Sequence, residues 1–146
     1  MEVIKLGTAK NNSTTVEEVD QIKLTKGKGI VGDRHFREQN DPRSELTLIE
    51  SENIDDYNKK FNLKIPYLNF RRNIVTKGIK LNELIGKSLI IGEVEIQGKD
   101  LCRPCKHLQE TLNRADIIKE FLRKGGLRCK IVKSGIVKTG DKIKII

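Results

Sequence analysis

The sequence predicts a mainly β protein: a single domain over residues 1–146, folded as a closed or nearly closed β-barrel with a few peripheral helices. Three observations carry this. Seven short runs alternate apolar and polar residues with a period of two, as strands with one buried face do. Three segments show helical spacing, but they do not alternate regularly with the strands as a doubly wound fold requires. No internal repeat or low-complexity linker divides the 146 residues, a length at which one fold buries roughly 68–70% of its unfolded surface.

The strand-like runs are EVIKLGTA, EVDQIKL, SELTLIE, RRNIVTKG, SLIIGEVEIQGKD, LRCKIVKSG and DKIKII, each bounded by Gly, Asn or Asp. Gly92 interrupts the fifth run and predicts a tight hairpin or a bulge there. The first helix is expected in ESENIDDYNKKFN, where Ile54, Tyr57 and Phe61 share a face and Ser51 stands as a candidate cap. The second is expected in PCKHLQETLN, and the third in ADIIKEFLRKGG, stopped by Gly125 and Gly126.

The net charge is +9, from 29 basic and 20 acidic residues, which points to a polyanionic partner: nucleic acid or a phosphorylated small molecule. Twenty of the 29 are lysines scattered along the strand runs, as on solvated outer faces. Among the nine arginines, Arg34, Arg71, Arg72 and Arg103 stand close to motifs. Aromatic content of 4% argues against a base-stacking platform, so a basic nucleic-acid-binding barrel is the alternative rather than the leading reading. The opening residues lack a basic, apolar leader, and no apolar run approaches the ~20 residues needed to span a bilayer. A soluble, cytoplasmic protein without a membrane partner is expected. Three cysteines in such a chain do not suggest a disulfide framework, and Cys129, alternating with apolar neighbours, reads as a small buried hydrophobe.

Two motifs carry chemistry. In DLCRPCKHLQE, a zinc site needs four ligands or three and a water, and Cys102 and Cys105 are joined at most by His107 or His35. On a helix, His107 is expected to face away from Cys105. A redox disulfide needs a βαβ frame that the strand pattern does not offer, which leaves Cys102 the secondary role of resolving an adduct on Cys105. The local residues favour a third reading, a single activated thiol. A helix starting near Pro104 places Cys105 in its first turn, where the helix dipole, Arg103 and Lys106 favour thiolate. In GKGIVGDRHF, the spacing of Gly27, Gly29 and Gly32 is not followed by a helical pattern, so it is not a dinucleotide fingerprint. Gly32 instead permits a turn that presents Asp33, Arg34 and His35 together, suited to a phosphate or a sulfur-bearing ligand.

The runs GIVGDRH, RSELTLIE, RRNIVTKGI with LNELIGKSLIIGEVEI, CRPC and GGLRCKIVKSGIVKTGDKI, in this order, resemble the MOSC family, relatives of the C-terminal domain of molybdenum cofactor sulfurase. The resemblance implies a β-barrel with peripheral helices and a pocket for the molybdenum cofactor (molybdopterin). It also implies a cysteine that carries sulfur as a persulfide or contacts molybdenum, falling on Cys105. Gly32, Asp33, Arg34, His35, Arg72, Asn73 and Arg103 are then expected to line or support the pocket, with Cys105, Cys102 and His35 as catalytic candidates. Arg34 and Arg72 suit a phosphate or pterin carbonyl better than lysine would. Two departures stand out. The glycine often found after the GDRH histidine has no counterpart in FREQ, and the pyridoxal-dependent desulfurase and N-terminal barrel domains of larger relatives are missing. Without pyridoxal phosphate, sulfur is expected from a cysteine desulfurase or other donor in trans, for delivery to a molybdoenzyme or to cofactor-biosynthesis proteins. A part in reducing N-hydroxylated compounds, as for some standalone relatives, is the other activity implied.

Overall fold

Alternating burial organises the computed structural model, which describes residues 1–11 and 15–146. The strands in the first half are β1 (Glu2–Thr8), β2 (Glu17–Glu18), β3 (Gln21–Thr25), β4 (Gly29–Ile30), β5 (Leu46–Glu50) and β6 (Ile74–Lys77). They are followed by β7 (Ser88–Ile91), β8 (Val94–Leu101), β9 (Leu127–Lys133), β10 (Gly135–Lys138) and β11 (Ile143–Ile145). The helices are α1 (Ser51–Phe61), α2 (Lys106–Leu112) and α3 (Ile117–Glu120), with 3-10 turns at Pro42–Ser44, Tyr67–Phe70 and Leu81–Leu84.

The larger sheet runs β11-β7-β8-β9-β5-β6-β1-β2, and a smaller one runs β10-β3-β4. The backbone of β1 also bonds the residues leading into β11: Val3 N–H to Asp141 O at 2.9 Å, Gly140 N–H to Val3 O at 2.8 Å and Ile143 N–H to Met1 O at 3.0 Å. β11, at one end of the strand order, thus meets β1 near the other, which reduces the open edge a flat sheet would expose. Pairing is antiparallel except between β5 and β6, which α1 joins as a parallel crossover. Cys102 and Cys105 lie outside that βαβ unit, beyond the end of β8.

Strand alternation divides the apolar residues into two cores. Leu48 and Ile74 turn inward to a barrel core with Leu6, Leu89, Ile96 and Cys129. Their neighbours Ile49 and Val75 turn outward, beneath the helices, to meet Ile54, Tyr57, Phe70 and Phe121. Each fully buried aliphatic or aromatic side chain contributes about 1.5–3 kcal/mol relative to its exposed state. Tyr57, Phe70 and Phe121 pack ring against ring, with Phe61 against Tyr57, at centroid distances of 4.9–6.5 Å. Four of the six aromatic residues thus hold the helices to the barrel instead of forming a platform at the surface.

The hairpin expected at Gly92 is present, joining β7 to β8 with Gly92 in the left-handed region at φ 59°. Two helix boundaries differ from expectation. Ser51 does not cap α1: Glu50, still extended at ψ 125°, holds the N-cap position without a side-chain bond, and Ser51 is the first helical residue. At the other end Asn62 closes α1 in left-handed geometry, its N–H reaching Asn58 O and Lys59 O. The third helix stops at Glu120, well short of the glycine pair. Phe121 swings into the outer core, and the glycines serve close packing: a Cβ on Gly126 would lie 2.1 Å from Leu48 O, and one on Gly125 2.6 Å from Cys102 O.

Candidate anion and thiol site

Where β5, β8 and β9 begin or end and the chain enters β6, the outward side of the barrel is hollowed into a cavity of ≈ 420 Å³. Its floor follows from register. Thr47 of β5 faces Arg128 of β9 across the sheet, both turned away from the barrel core. Asn73, just before β6, ties the strands together. Its side chain donates to Gly7 O at 3.1 Å and accepts from Thr47 N–H at 3.2 Å, while Gly7 N–H donates to Asn73 O at 2.8 Å. The Asn73 amide is thus engaged by backbone on both ends; it builds the floor and leaves ligand contact to its neighbours.

Arg71 and Arg72 both line the cavity although they are consecutive. In an extended chain, neighbours point to opposite faces. Arg71 escapes this rule because it sits in the left-handed region at φ 66°, closing the 3-10 turn at Tyr67–Phe70. For a non-glycine residue that conformation is unfavourable by about 1–2 kcal/mol, so the surrounding structure holds it in place. Arg72 donates through Nε to Gly125 O at 2.8 Å, and Arg71 Nη1 stands 3.2 Å from His107 Nε2. Burial, then the neighbouring charges of Arg34 and Arg72, depress the Arg71 guanidinium below its ordinary value, while Cys105 acts to raise it. Like charges gathered this way favour any anion that joins them.

The GDRH turn forms one wall. Gly32 at φ 85° supplies a backbone that other residues adopt at a penalty, and it does not itself line the cavity. Asp33 is buried, its carboxylate accepting from Ala9 N–H at 2.9 Å and His35 N–H at 3.1 Å. Burial pushes the Asp33 carboxyl up, but hydrogen bonds from the His35 side chain and from the Ala9 and His35 N–H groups outweigh it, and the net shift is downward. Asp33 therefore anchors the turn, which presents Arg34 and exposed His35 to the cavity.

The thiols are placed differently from one another. Cys105 is exposed at the cavity rim and Cys102 is buried in its wall. Burial pushes the Cys102 thiol up, offset in part by the neighbouring guanidiniums of Arg72 and Arg128. Cys105 is not in the first turn of α2, as the sequence suggests. Its backbone is extended at φ −131° and ψ 165°, and it occupies the N-cap of a helix of seven residues. Its cationic surroundings come chiefly from arginines brought in from elsewhere in the chain.

Arginine and lysine are segregated. Six of the nine arginines, Arg34, Arg43, Arg71, Arg72, Arg103 and Arg128, line the cavity, and among the described residues no lysine does. Both histidines and two of the three cysteines line it as well. Arg43 is partly neutralised by Asp100, Nη2 to Oδ2 at 2.5 Å, and among the described residues Asp33 is the one acidic residue in the lining. Among the described residues, no three His, Cys, Asp or Glu side chains gather to hold a metal ion directly.

The sequence model of the MOSC domain matches residues 30–144. The chain belongs to the MOSC domain family. The YuaD protein from Bacillus subtilis has a similar fold, with a TM-score of 0.84 and 19% identity, covering 99% of this chain and 94% of that one. YiiM from Geobacillus stearothermophilus superposes with a TM-score of 0.80 at 12% identity, covering 99% of this chain and 74% of that one. YiiM from Escherichia coli gives a TM-score of 0.72 at 20% identity, with 100% and 70% covered. No curated relative matches the sequence. Among the described residues, no helix of this MOSC domain is long and apolar enough to cross a membrane.

Of the residues anticipated from sequence, Asp33, Arg34, His35, Arg72, Asn73, Cys102, Arg103 and Cys105 all border the MOSC cavity, while Gly32 shapes the turn behind it. His107 corrects the sequence reading: it shares the cavity with both cysteines because the chain enters α2 from extended backbone at Cys105. Arg43 and Arg128 were not anticipated. Arg128 occupies the outward phase of LRCKIVK, a cation opposite two interior residues, and that alternation is the signal for it. Arg71 also borders a second hollow of ≈ 300 Å³, so the two cavities share this residue.

Proposed function

We propose that this MOSC domain holds an anionic, phosphate-bearing small molecule of the molybdenum cofactor class in the arginine cavity and carries sulfur on Cys105. The observation behind this reading is the segregation of arginine, without lysine, around a reachable thiol. Guanidinium forks bind phosphate and pterin carbonyl oxygens bidentately, where lysine offers a point charge. The cavity volume of ≈ 420 Å³ lies within the range of small-molecule sites. The donor set fits a metal that arrives with ligands of its own, since the described residues offer no cluster for a bare ion. Arg34, Arg71 and Arg72 would hold the phosphate, with Arg103 at the mouth and Arg128 beside Cys102. When bound, the cofactor would supply a redox-active molybdenum centre, for which Cys105 offers one soft donor.

As a sulfur carrier, the Cys105 thiolate attacks the terminal sulfur of a persulfide on a cysteine desulfurase. A new S–S bond forms on Cys105, and the donor cysteine leaves as thiolate, without external oxidant or reductant. Delivery to a molybdoenzyme or a cofactor-assembly protein, or a part in cofactor-dependent reduction of N-hydroxylated compounds, would use the same site. A nucleic-acid-binding role finds less support, because four of the six aromatic residues are packed under the helices and the cations converge on a concave thiol site.

The test is to incubate the protein with a cysteine desulfurase and cysteine and weigh it. Wild type is expected to gain sulfur that a reductant removes, and Cys105→Ala, a change at an exposed position, to gain none. No gain by wild type, or equal gain by the variant, overturns the carrier role.

A further inference from the structure

We propose that the same site takes sulfur from thiosulfate, giving the chain a small-molecule sulfurtransferase activity; the proposal rests on the sulfur-carrying reading of Cys105. A phosphate ester would use only the arginines of this cavity, and a protein-bound persulfide would use chiefly the thiol. Thiosulfate presents both halves in one small molecule: a three-oxygen anionic end and a transferable sulfur. The lining matches that division, with Arg34, Arg71 and Arg72 grouped together and the exposed Cys105 at the rim.

The charges explain why such a site is needed. In water a thiolate and a thiosulfate dianion repel each other, and the leaving sulfite carries two negative charges. Guanidinium groups already fixed around the oxygens lessen both penalties without reorganising during the reaction. Arg71 is so fixed, by its left-handed backbone and by the contact of Nη1 with His107 Nε2 at 3.2 Å. Its charge is disfavoured by burial and by Arg34 and Arg72, a state that a bound dianion relieves. In the step itself, Cys105 Sγ bonds to the outer sulfur of thiosulfate. The S–S bond of thiosulfate breaks, and its electron pair leaves with sulfite. Cys105 is left as a persulfide and no other redox partner takes part. A nucleophilic acceptor, a thiol or cyanide, then removes the outer sulfur and restores the thiolate.

The experiment supplies the purified full chain, without molybdenum cofactor, with thiosulfate and cyanide, and follows thiocyanate and sulfite. Both are expected in equal amounts, with Cys105→Ala reduced to the uncatalysed background. Arg71→Gly, whose backbone suits a positive φ, is expected to melt no lower than wild type. Its kcat/KM should nonetheless fall about 10- to 100-fold, the range for losing one charge-assisted donor. If no thiocyanate forms above background while Cys105 still gains sulfur from a desulfurase, the thiosulfate activity is overturned and the carrier role stands. If neither donor loads Cys105, both fall. Turnover that survives Cys105→Ala also overturns the inference, because another group is then reacting.

Discussion

Strand β9 carries two chemistries on adjacent residues. Leu127, Cys129 and Ile131 face the barrel core, while Arg128 faces the cavity on the other side of the sheet. Two cysteines show the contrast between core and cavity. Cys129 is fully buried, its surroundings push the thiol far above its ordinary value, and it acts as a small hydrophobe. Cys105, beyond the sheet, is exposed among guanidiniums. A slip of one residue in the register of β9 would exchange the faces, sending Arg128 into an aliphatic core. Along β9, packing therefore resides on the inner face and chemistry on the outer, and the two can be perturbed separately.

The largest effect should come from the inner face. Leu48→Ala removes a fully buried side chain from the barrel core and is expected to destabilise by about 2–5 kcal/mol in urea unfolding. Protein that still folds should keep its affinity for sulfate or phosphate, read by isothermal titration. Next is the floor between the faces. Asn73→Ala leaves Gly7 O and Thr47 N–H without their buried partner and should lower stability by about 1–3 kcal/mol. Because it also loosens β6 under Arg72, anion affinity should fall in the same variant.

Asp33→Asn acts on the wall, and its effect should depend on pH. The Asp33 carboxyl is held below its ordinary value in the folded protein. It therefore contributes stability above the unfolded value near 3.9, and this is lost as pH falls through the lower folded value. Unfolding free energies of wild type and Asp33→Asn in urea should differ at pH 7, with wild type the more stable, and converge in acid. A gap that widened below pH 4 would contradict this assignment. The smallest change in stability, and of opposite sign, is expected for Arg71→Gly: a gain of about 1 kcal/mol or less as the left-handed strain is relieved. Anion affinity should drop all the same, which would separate site from scaffold most cleanly.

Much of this was legible in the sequence because it is local. Alternation in SELTLIE and LRCKIVK marks β5 and β9, and Gly92 marks the β7–β8 hairpin. The GDRH turn, the adjacent Arg71 and Arg72, and the CRPC thiols are each short and rich in functional groups. What was hidden depends on distant partners. Arg43 and Arg128 join the cavity because Thr47 is set opposite Arg128 in a register that no short window contains. Helical spacing in ADIIKEFLRKGG was real, but α3 ends at Glu120, where Phe121 packs into the aromatic cluster and Arg123 turns left-handed at φ 61°. Likewise, the cap of α1 is decided by the strand that runs straight into it, leaving Ser51 inside the helix.

The pairing of a reachable thiol with an anion cradle is tested most directly by mapping alkylation of the three cysteines with iodoacetate and with neutral iodoacetamide. Cys105 is expected to react first, with a preference for the anionic reagent over a free-thiol standard that shrinks in added sulfate and in Arg71→Gly. Equal preference for the two reagents at Cys105, or faster reaction at Cys102 or Cys129, would contradict it.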